Sequence, residues 1–183
     1  MLIGTKVWVD NMSAEGIVKA CEGSLKRMKT DYIDIYQIHW PNREISLEET
    51  LHAMERLKQS GKVRAIGVCN HGVQDLTAAL TFSGIVFNQM AYSLLFRAIE
   101  YEILPKCIES KVGVMAYSPL AQGLLTGMFA KPEDVDDERA RLRFYSQNRP
   151  GTVHDEDGYE PEVFEAIANI RAMCAEIGKP MAD

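Results

Sequence analysis

Between Leu2 and Tyr117 the chain alternates short apolar runs with amphipathic stretches five times. The repeat is roughly thirty residues, the size of a βα unit. This alternation constrains the fold more than any single motif. Strands separated by helices run parallel and connect by right-handed crossovers. The expected fold class is therefore α/β, with about five parallel strands flanked by helices. The second run, Tyr32-Ile33-Asp34-Ile35-Tyr36-Gln37-Ile38-His39-Trp40-Pro41, is the most informative. It is apolar on both faces, as a parallel strand covered by helices is. Period two puts His39 on the face of Ile33, Ile35 and Gln37. In a closed barrel that face is the inside, and His39 stands at the rim of a pocket.

The other elements follow from spacing and punctuation. Leu2 to Val9 is a strand carrying Lys6 near its end, and Ser13 is a helix N-cap ahead of Ile17, Cys21, Leu25 and Met28 at helical spacing. Ser46 with Glu49 reads as a capping box, Leu47, Leu51, Met54 and Leu57 as the buried stripe behind it, and Gly61 as the stop. Val63–Asn70 is the third strand, followed by a short helix through Val73, Leu76 and Leu80 that stops at Gly84. Ile85–Gln89 and Val112–Tyr117 are the fourth and fifth strands. Between them a helix over about 100–110 tolerates Pro105 only near its first turn. After Tyr117 the pattern changes. Leu120–Gly127 is a glycine-spaced loop, and 128–160 is a polar, turn-rich surface excursion whose acidic run Glu133 to Glu138 is a solvated face. An amphipathic helix through Val163, Phe164, Ile167, Ile170 and Cys174 begins at Pro161 and ends at Gly178. The 183 residues are expected to form one domain.

Composition removes several classes of function. Lys and Arg number 20 against 26 Asp and Glu, a net charge of −6, without a basic cluster large enough for nucleic acid. The charge-free runs near 76–96 and 112–130 are interrupted by glycine, proline, Asn88 and Gln89, and read as strand plus loop rather than a bilayer span. Met1-Leu2-Ile3-Gly4 lacks the basic and apolar regions of a signal peptide. Cys21, Cys69, Cys107 and Cys174 have no C-x-x-C spacing, and the four histidines no metal-ligand spacing. The expectation is a cytoplasmic protein with reduced thiols and no metal.

The five strands end on Lys6, His39, Cys69-Asn70, Gln89 and Tyr117. Taken singly, Lys6 is a solvated charge, His39 a hydrogen-bonded strand-end histidine, Gln89 a satisfier of backbone groups and Tyr117 a core residue. Taken together, polar side chains at the carboxyl ends of five parallel strands mark the place where such folds put their chemistry.

The same residues carry a resemblance. Thr5-Lys6-Val7, Asp34-Ile35-Tyr36-Gln37-Ile38-His39-Trp40-Pro41, Gly61-Lys62-Val63-Arg64-Ala65-Ile66-Gly67-Val68-Cys69-Asn70, Phe87-Asn88-Gln89 and Ala116-Tyr117-Ser118-Pro119-Leu120-Ala121-Gln122-Gly123-Leu124-Leu125-Thr126-Gly127 occur in the order and spacing of an aldo-keto reductase. The loop after the fifth strand resembles the bacterial and channel β-subunit branches. The resemblance implies a (β/α)8 TIM barrel and an enzyme that moves a hydride from NADP(H) to an aldehyde or ketone. As hydride reaches the carbonyl carbon, charge grows on oxygen and calls for a proton donor. The family uses a tyrosine phenol whose pKa, ordinarily about 10, a lysine lowers.

In that frame Lys6 matches the lysine, and His39 the histidine that orients the carbonyl. Asn70 and Gln89 match the holders of the nicotinamide carboxamide. Cys69 stands where serine is commoner, and Tyr117 matches the ring that stacks on the nicotinamide. Ser118, Leu120, Gln122, Gly123 and Leu124 match a loop whose backbone amides approach the pyrophosphate. Met128 stands where lysine is common. Asp34 and Arg64 read as structural, paired with backbone or with each other.

Set against the family, the first two βα units and the last are absent from this sequence, so the expectation is a partial barrel with reduced activity. The proton-donating tyrosine belongs to the absent units, and Tyr92 is the nearest replacement. Open sheet edges favour self-association. The alternative is a non-catalytic module that binds nucleotide or a protein partner.

Overall fold

The computed structural model describes residues 1–139 and 142–183. It divides into two compact units, Met1–Tyr92 with Arg97–Tyr117, and Ser93–Phe96 with Ser118–Asp183.

The first unit is a five-stranded sheet in the order β1-β2-β3-β4-β5, parallel throughout. The strands are β1 (Gly4–Val7), β2 (Ile33–Ile38), β3 (Val63–Cys69), β4 (Ile85–Ala91) and β5 (Gly113–Tyr117). The helices α1 (Ala14–Met28), α2 (Leu47–Gln59), α3 (Val73–Phe82) and α4 (Ile103–Glu109) alternate with them. Pro105 falls in the first turn of α4, where its missing N–H costs no helical bond. Ser13 caps α1 by accepting from the Gly16 N–H at 3.1 Å. The expected capping box of α2 is only half formed. Ser46 accepts from the Glu49 N–H, but the Glu49 carboxylate turns away to accept from the Ala14 N–H at 3.0 Å. A tertiary bond to the start of α1 replaces the local one.

The core lies between sheet and helices. Ile17, Cys21 and Leu25 of α1 and Leu51, Met54 and Leu57 of α2 pack with Val7, Tyr36, Ile38, Ile66 and Val68. Asp34 joins three strands at their entry. It accepts from the Ile3 N–H at 2.9 Å and from Arg64 at 2.8 Å, and Arg64 lies over the Tyr32 ring.

One irregularity sets the site. Ile66 pairs with Ile85, yet Val68 pairs with Asn88, so β4 slips by one residue against β3. Strict period two from the buried Ile85 would send Gln89 toward the helices. The slip turns Phe87 and Gln89 to the opposite face, with Gln89 beside Cys69. Phe87 then lies over Gly67, where an added Cβ would stand 2.8 Å from the ring.

The second unit has its own small core of Leu124, Leu125, Phe129, Val135, Tyr145, Phe164 and Ile167, the last two from α5 (Glu160–Glu176). The 128–160 stretch therefore does more than the polar surface excursion its composition suggested. Its apolar residues fall at irregular intervals and leave no periodic signal. Arg149 holds the unit together by donating to the carbonyls of Val135 and Pro132 and pairing with Glu160. The Glu160 oxygen in that pair has no well-angled hydrogen bond, so the contact is a charge pair.

Candidate functional site

Lys6, His39, Trp40, Cys69, Asn70, Gln89 and Tyr117 line one pocket of about 310 Å³ in the first unit. The sheet brings them together by register. Lys6 pairs with Gln37, Cys69 with Gln89, and Tyr117 with Ala91, so the side chains rise on the face away from the helices. Wider surface depressions also occur. One of about 600 Å³ is lined by Glu22, Lys26, Lys29, Asp31 and Lys62, at the opposite end of the strands. It lacks the convergent, half-buried polar groups of the strand-end pocket, which we take as the candidate site.

Hydrogen bonds fix the floor and one wall. Tyr117 donates its hydroxyl to Asn70 Oδ1 at 2.9 Å, and Asn70 Nδ2 donates to the His39 carbonyl at 3.1 Å. Asn70 itself is left-handed, with φ 57°. Its backbone N–H donates to the Gln89 carbonyl at 2.9 Å. The Cys69 thiol lies 3.3 Å from Gln89 Oε1 and 3.6 Å from Gln37 Oε1, and its single proton serves one of them at a time. Beneath the pocket, Asn88 is fully buried and brackets His71: its Nδ2 donates to the His71 carbonyl at 2.8 Å and its Oδ1 accepts from the His71 N–H. The His71 ring donates from Nδ1 to the Cys69 carbonyl at 2.8 Å, so the turn that carries Asn70 is tied down on both sides.

Electrostatics follow from burial. Burial, and then the Lys6 ammonium, push the His39 pKa down, which favours a neutral imidazole. Burial pushes the Cys69 thiol up to about 11, with Lys6 acting weakly the other way, so this sulfur is protonated and a poor nucleophile. Burial, then Cys69, raises the Tyr117 phenol. Tyr92 is not among the residues that line the pocket. Its hydroxyl donates to Glu100 at 2.7 Å, which raises its pKa, and Glu100 is held in turn by Arg97.

Aromatic rings form the outer wall. Trp8 meets His39 edge-on at 5.1 Å between centroids, and Trp40 stacks on it at 6.4 Å. Both tryptophans are about half exposed. Neither Trp8 nor Trp40 was assigned a role from sequence. Trp40 directly follows the His39 strand end, and that position is a signal that could have found it.

The loop residues Ser118, Leu120, Gln122, Gly123 and Leu124 lie in the second unit. Ser118 and Gln122 have φ of 52° and 56°, and Gly123 has 102°. The Gly123 amide is already spent on the Leu120 carbonyl at 3.0 Å, and the Leu124 side chain is buried in that unit's core.

Among the described residues no group of three or more His, Cys, Asp or Glu could hold a metal ion, and no helix is long and apolar enough to cross a membrane.

A parallel sheet with helices on one face and a strand-end pocket on the other is the architecture of a barrel enzyme family, and comparison identifies which. The aldo/keto reductase family model matches residues 1–183, and the chain belongs to that family. A methylglyoxal reductase of Escherichia coli is 42% identical over 121 residues, covering 64% of this chain and 42% of the relative. An uncharacterized oxidoreductase of Bacillus subtilis is 33% identical over 179 residues, covering 98% of this chain and 53% of the relative. Among solved structures, a glycerol dehydrogenase from Gluconobacter oxydans superposes with a TM-score of 0.77 at 27% identity, covering 93% of this chain and 50% of that one. An aldo/keto reductase from Klebsiella pneumoniae in complex with NADP and acetate gives 0.66 at 30% identity, covering 92% and 62%. The chain thus spans about a third to a half of the length of the curated relatives it matches. Its five-stranded parallel sheet with flanking helices corresponds to a partial (β/α)8 barrel.

Proposed function

We propose that the chain carries the nicotinamide end of an NADP(H)-dependent oxidoreductase site that reduces aldehydes or ketones to alcohols. The observation that supports this most is the convergence of Lys6, His39, Cys69, Asn70, Gln89 and Tyr117 on one pocket. Its size suits a ring and a small carbonyl compound. The donors present fit a carboxamide. Asn70 keeps one N–H and one lone pair free after bonding to His39 and Tyr117, and Gln89 turns its oxygen toward Cys69, which leaves its NH2 for a ligand oxygen. Asn70 and Gln89 would hold the carboxamide, and the Tyr117 ring would cover one face.

A reduced nicotinamide, when bound, would supply the hydride. His39, kept neutral by burial and Lys6, donates a hydrogen bond to the substrate carbonyl and orients it. The Lys6 ammonium would stabilise the negative charge that grows on that oxygen and would hand it the proton that completes the alcohol, the amine then taking a proton back from solvent. Trp8 and Trp40 exclude water from one side of His39. Relatives differ in the dinucleotide they take: one Escherichia coli relative, 39% identical over 132 residues, is an NADH-specific methylglyoxal reductase, whereas a Klebsiella pneumoniae structure is a complex with NADPH.

The test is calorimetric titration with NADPH and NADH, followed by aldehyde-dependent oxidation with methylglyoxal as the probe. Saturable binding with oxidation supports the reductase. Binding without oxidation favours the nucleotide-binding module. No binding of either dinucleotide overturns both.

A further inference from the structure

The Tyr117 hydroxyl has a partner that stacking does not require. Stacking needs a flat ring, and phenylalanine would supply one. Here the phenol reaches across the pocket mouth to Asn70 at 2.9 Å, a residue 47 positions away in sequence. Asn70 in turn donates to the His39 carbonyl at 3.1 Å, 31 positions away. The ends of β2, β3 and β5 are therefore joined by two hydrogen bonds through one carboxamide. The left-handed backbone of Asn70 aims that carboxamide, and asparagine is among the few side chains that take φ near 57° without a large penalty.

We propose that Asn70 is a positioning residue for Tyr117: it braces the phenol against the His39 strand end and so fixes the plane of the ring that meets the nicotinamide. This rests on the nicotinamide reading above and adds a role to a residue there given only ligand contacts. The Asn70 hydrogen-bonding capacity permits both roles, because one N–H and one lone pair remain. A free Tyr117 ring would rotate about its χ torsions and would have to be ordered when the ligand binds, at a cost in affinity. The brace meets that cost in advance. It acts only on ligands that carry the nicotinamide ring, and leaves the adenosine and phosphate groups untouched.

A double-mutant cycle tests this, with Tyr117→Phe, Asn70→Gly and the pair, each in the full chain. Tyr117→Phe keeps the ring and removes the hydroxyl. Asn70→Gly removes the carboxamide and tolerates the positive φ. Calorimetry gives the Kd of NADPH or NADH, whichever binds tighter, and of the matching ADP-ribose, which lacks nicotinamide. Tyr117→Phe is expected to weaken the dinucleotide about five-fold, the effect of one hydrogen bond, and to leave the ADP-ribose unchanged. In the Asn70→Gly background the same change should have no further effect on the dinucleotide. Equal loss for both ligands, or an unchanged loss in the Asn70→Gly background, overturns the brace while leaving the cofactor reading intact. No dinucleotide binding by the native chain overturns both. Should Asn70→Gly fail to fold, Tyr117→Phe alone still tests the brace: an equal loss for the dinucleotide and the ADP-ribose, or no loss for the dinucleotide, overturns the proposal.

Discussion

On the helix-covered face of the sheet, Val7, Tyr36, Ile38, Ile66 and Val68 are essentially inaccessible to solvent and belong to one apolar core with the flanking helices, the Tyr36 hydroxyl donating to the Ile17 carbonyl of α1. On the other face the same strands present Lys6, Gln37, His39, Cys69, Gln89 and Tyr117, and Met115 is 37% exposed. One backbone supports both faces. The covered face is specified by burial, which tolerates exchange among residues of similar size. The open face is specified by direction: each polar group must end its strand at the right height and on the right side. Stability is concentrated on the first face and ligand recognition on the second.

The largest expected effect separates them by rate. In any form of the protein that reduces an aldehyde, Lys6→Met should lower the rate about 100- to 10,000-fold while dinucleotide affinity, read by calorimetry, is kept. Unchanged turnover would remove Lys6 from the site. Next in size is Leu51→Ala on the covered side. It should destabilise the first unit by about 2–5 kcal/mol in a urea melt, through lost burial and a residual cavity. Gln89→Leu, on the open side, should cost less than about 1 kcal/mol but weaken dinucleotide binding. If the two substitutions destabilise alike, the division of labour between faces is wrong.

Acid should act on both faces in the same direction. Burial holds His71, beneath the pocket, and His39, within it, below the ordinary histidine value of 6.5. The unfolded chain therefore takes up these protons first. Stability is full above that value and declines as pH falls from it toward the folded-state values. Asp34 is held below 3.8, first by the Ile3 N–H, and then by Arg64 against the opposing effect of burial, so a second decline begins under 3.8. Chemical melts across pH 3 to 8 should show both, and His71→Gln should reduce the upper one. Stability that rises as pH falls below 6.5 would contradict this. The smallest effect is expected at Trp40, which is 44% exposed. Trp40→Ala should change stability by no more than about 0.5 kcal/mol in a thermal melt, with its consequence confined to substrate KM.

Much of the first unit was legible because helix and strand periods are local. Ile17, Cys21, Leu25 and Met28, or Leu47, Leu51, Met54 and Leu57, announce a buried helical face by spacing alone; the structure buries six of them and leaves Met28 and Leu47 partly buried against the same core. The pairing of Asp34 with Arg64 and with backbone also followed from the sequence motif. The gathering of the strand-end residues followed from a rule about parallel strands rather than from any residue. What escaped was set by tertiary structure. The slip between Ile66 and Val68 that turns Gln89 into the pocket depends on two strands at once. Glu49 leaves its own helix cap for Ala14, a choice no window of α2 contains. Asn88 and His71 look like ordinary loop and strand residues until their mutual bonds are seen. In 128–160 the buried residues Phe129, Val135 and Tyr145 are too irregularly spaced to stand out from the charge around them.

The most direct measurement is a crystal structure of the chain with NADPH bound. The expected result is the nicotinamide ring against Tyr117, its carboxamide within hydrogen-bond reach of Asn70 and Gln89, and its hydride-bearing carbon facing the space between His39 and Lys6. A nicotinamide ring bound anywhere else, with these five side chains facing empty solvent, would contradict the assignment of this pocket.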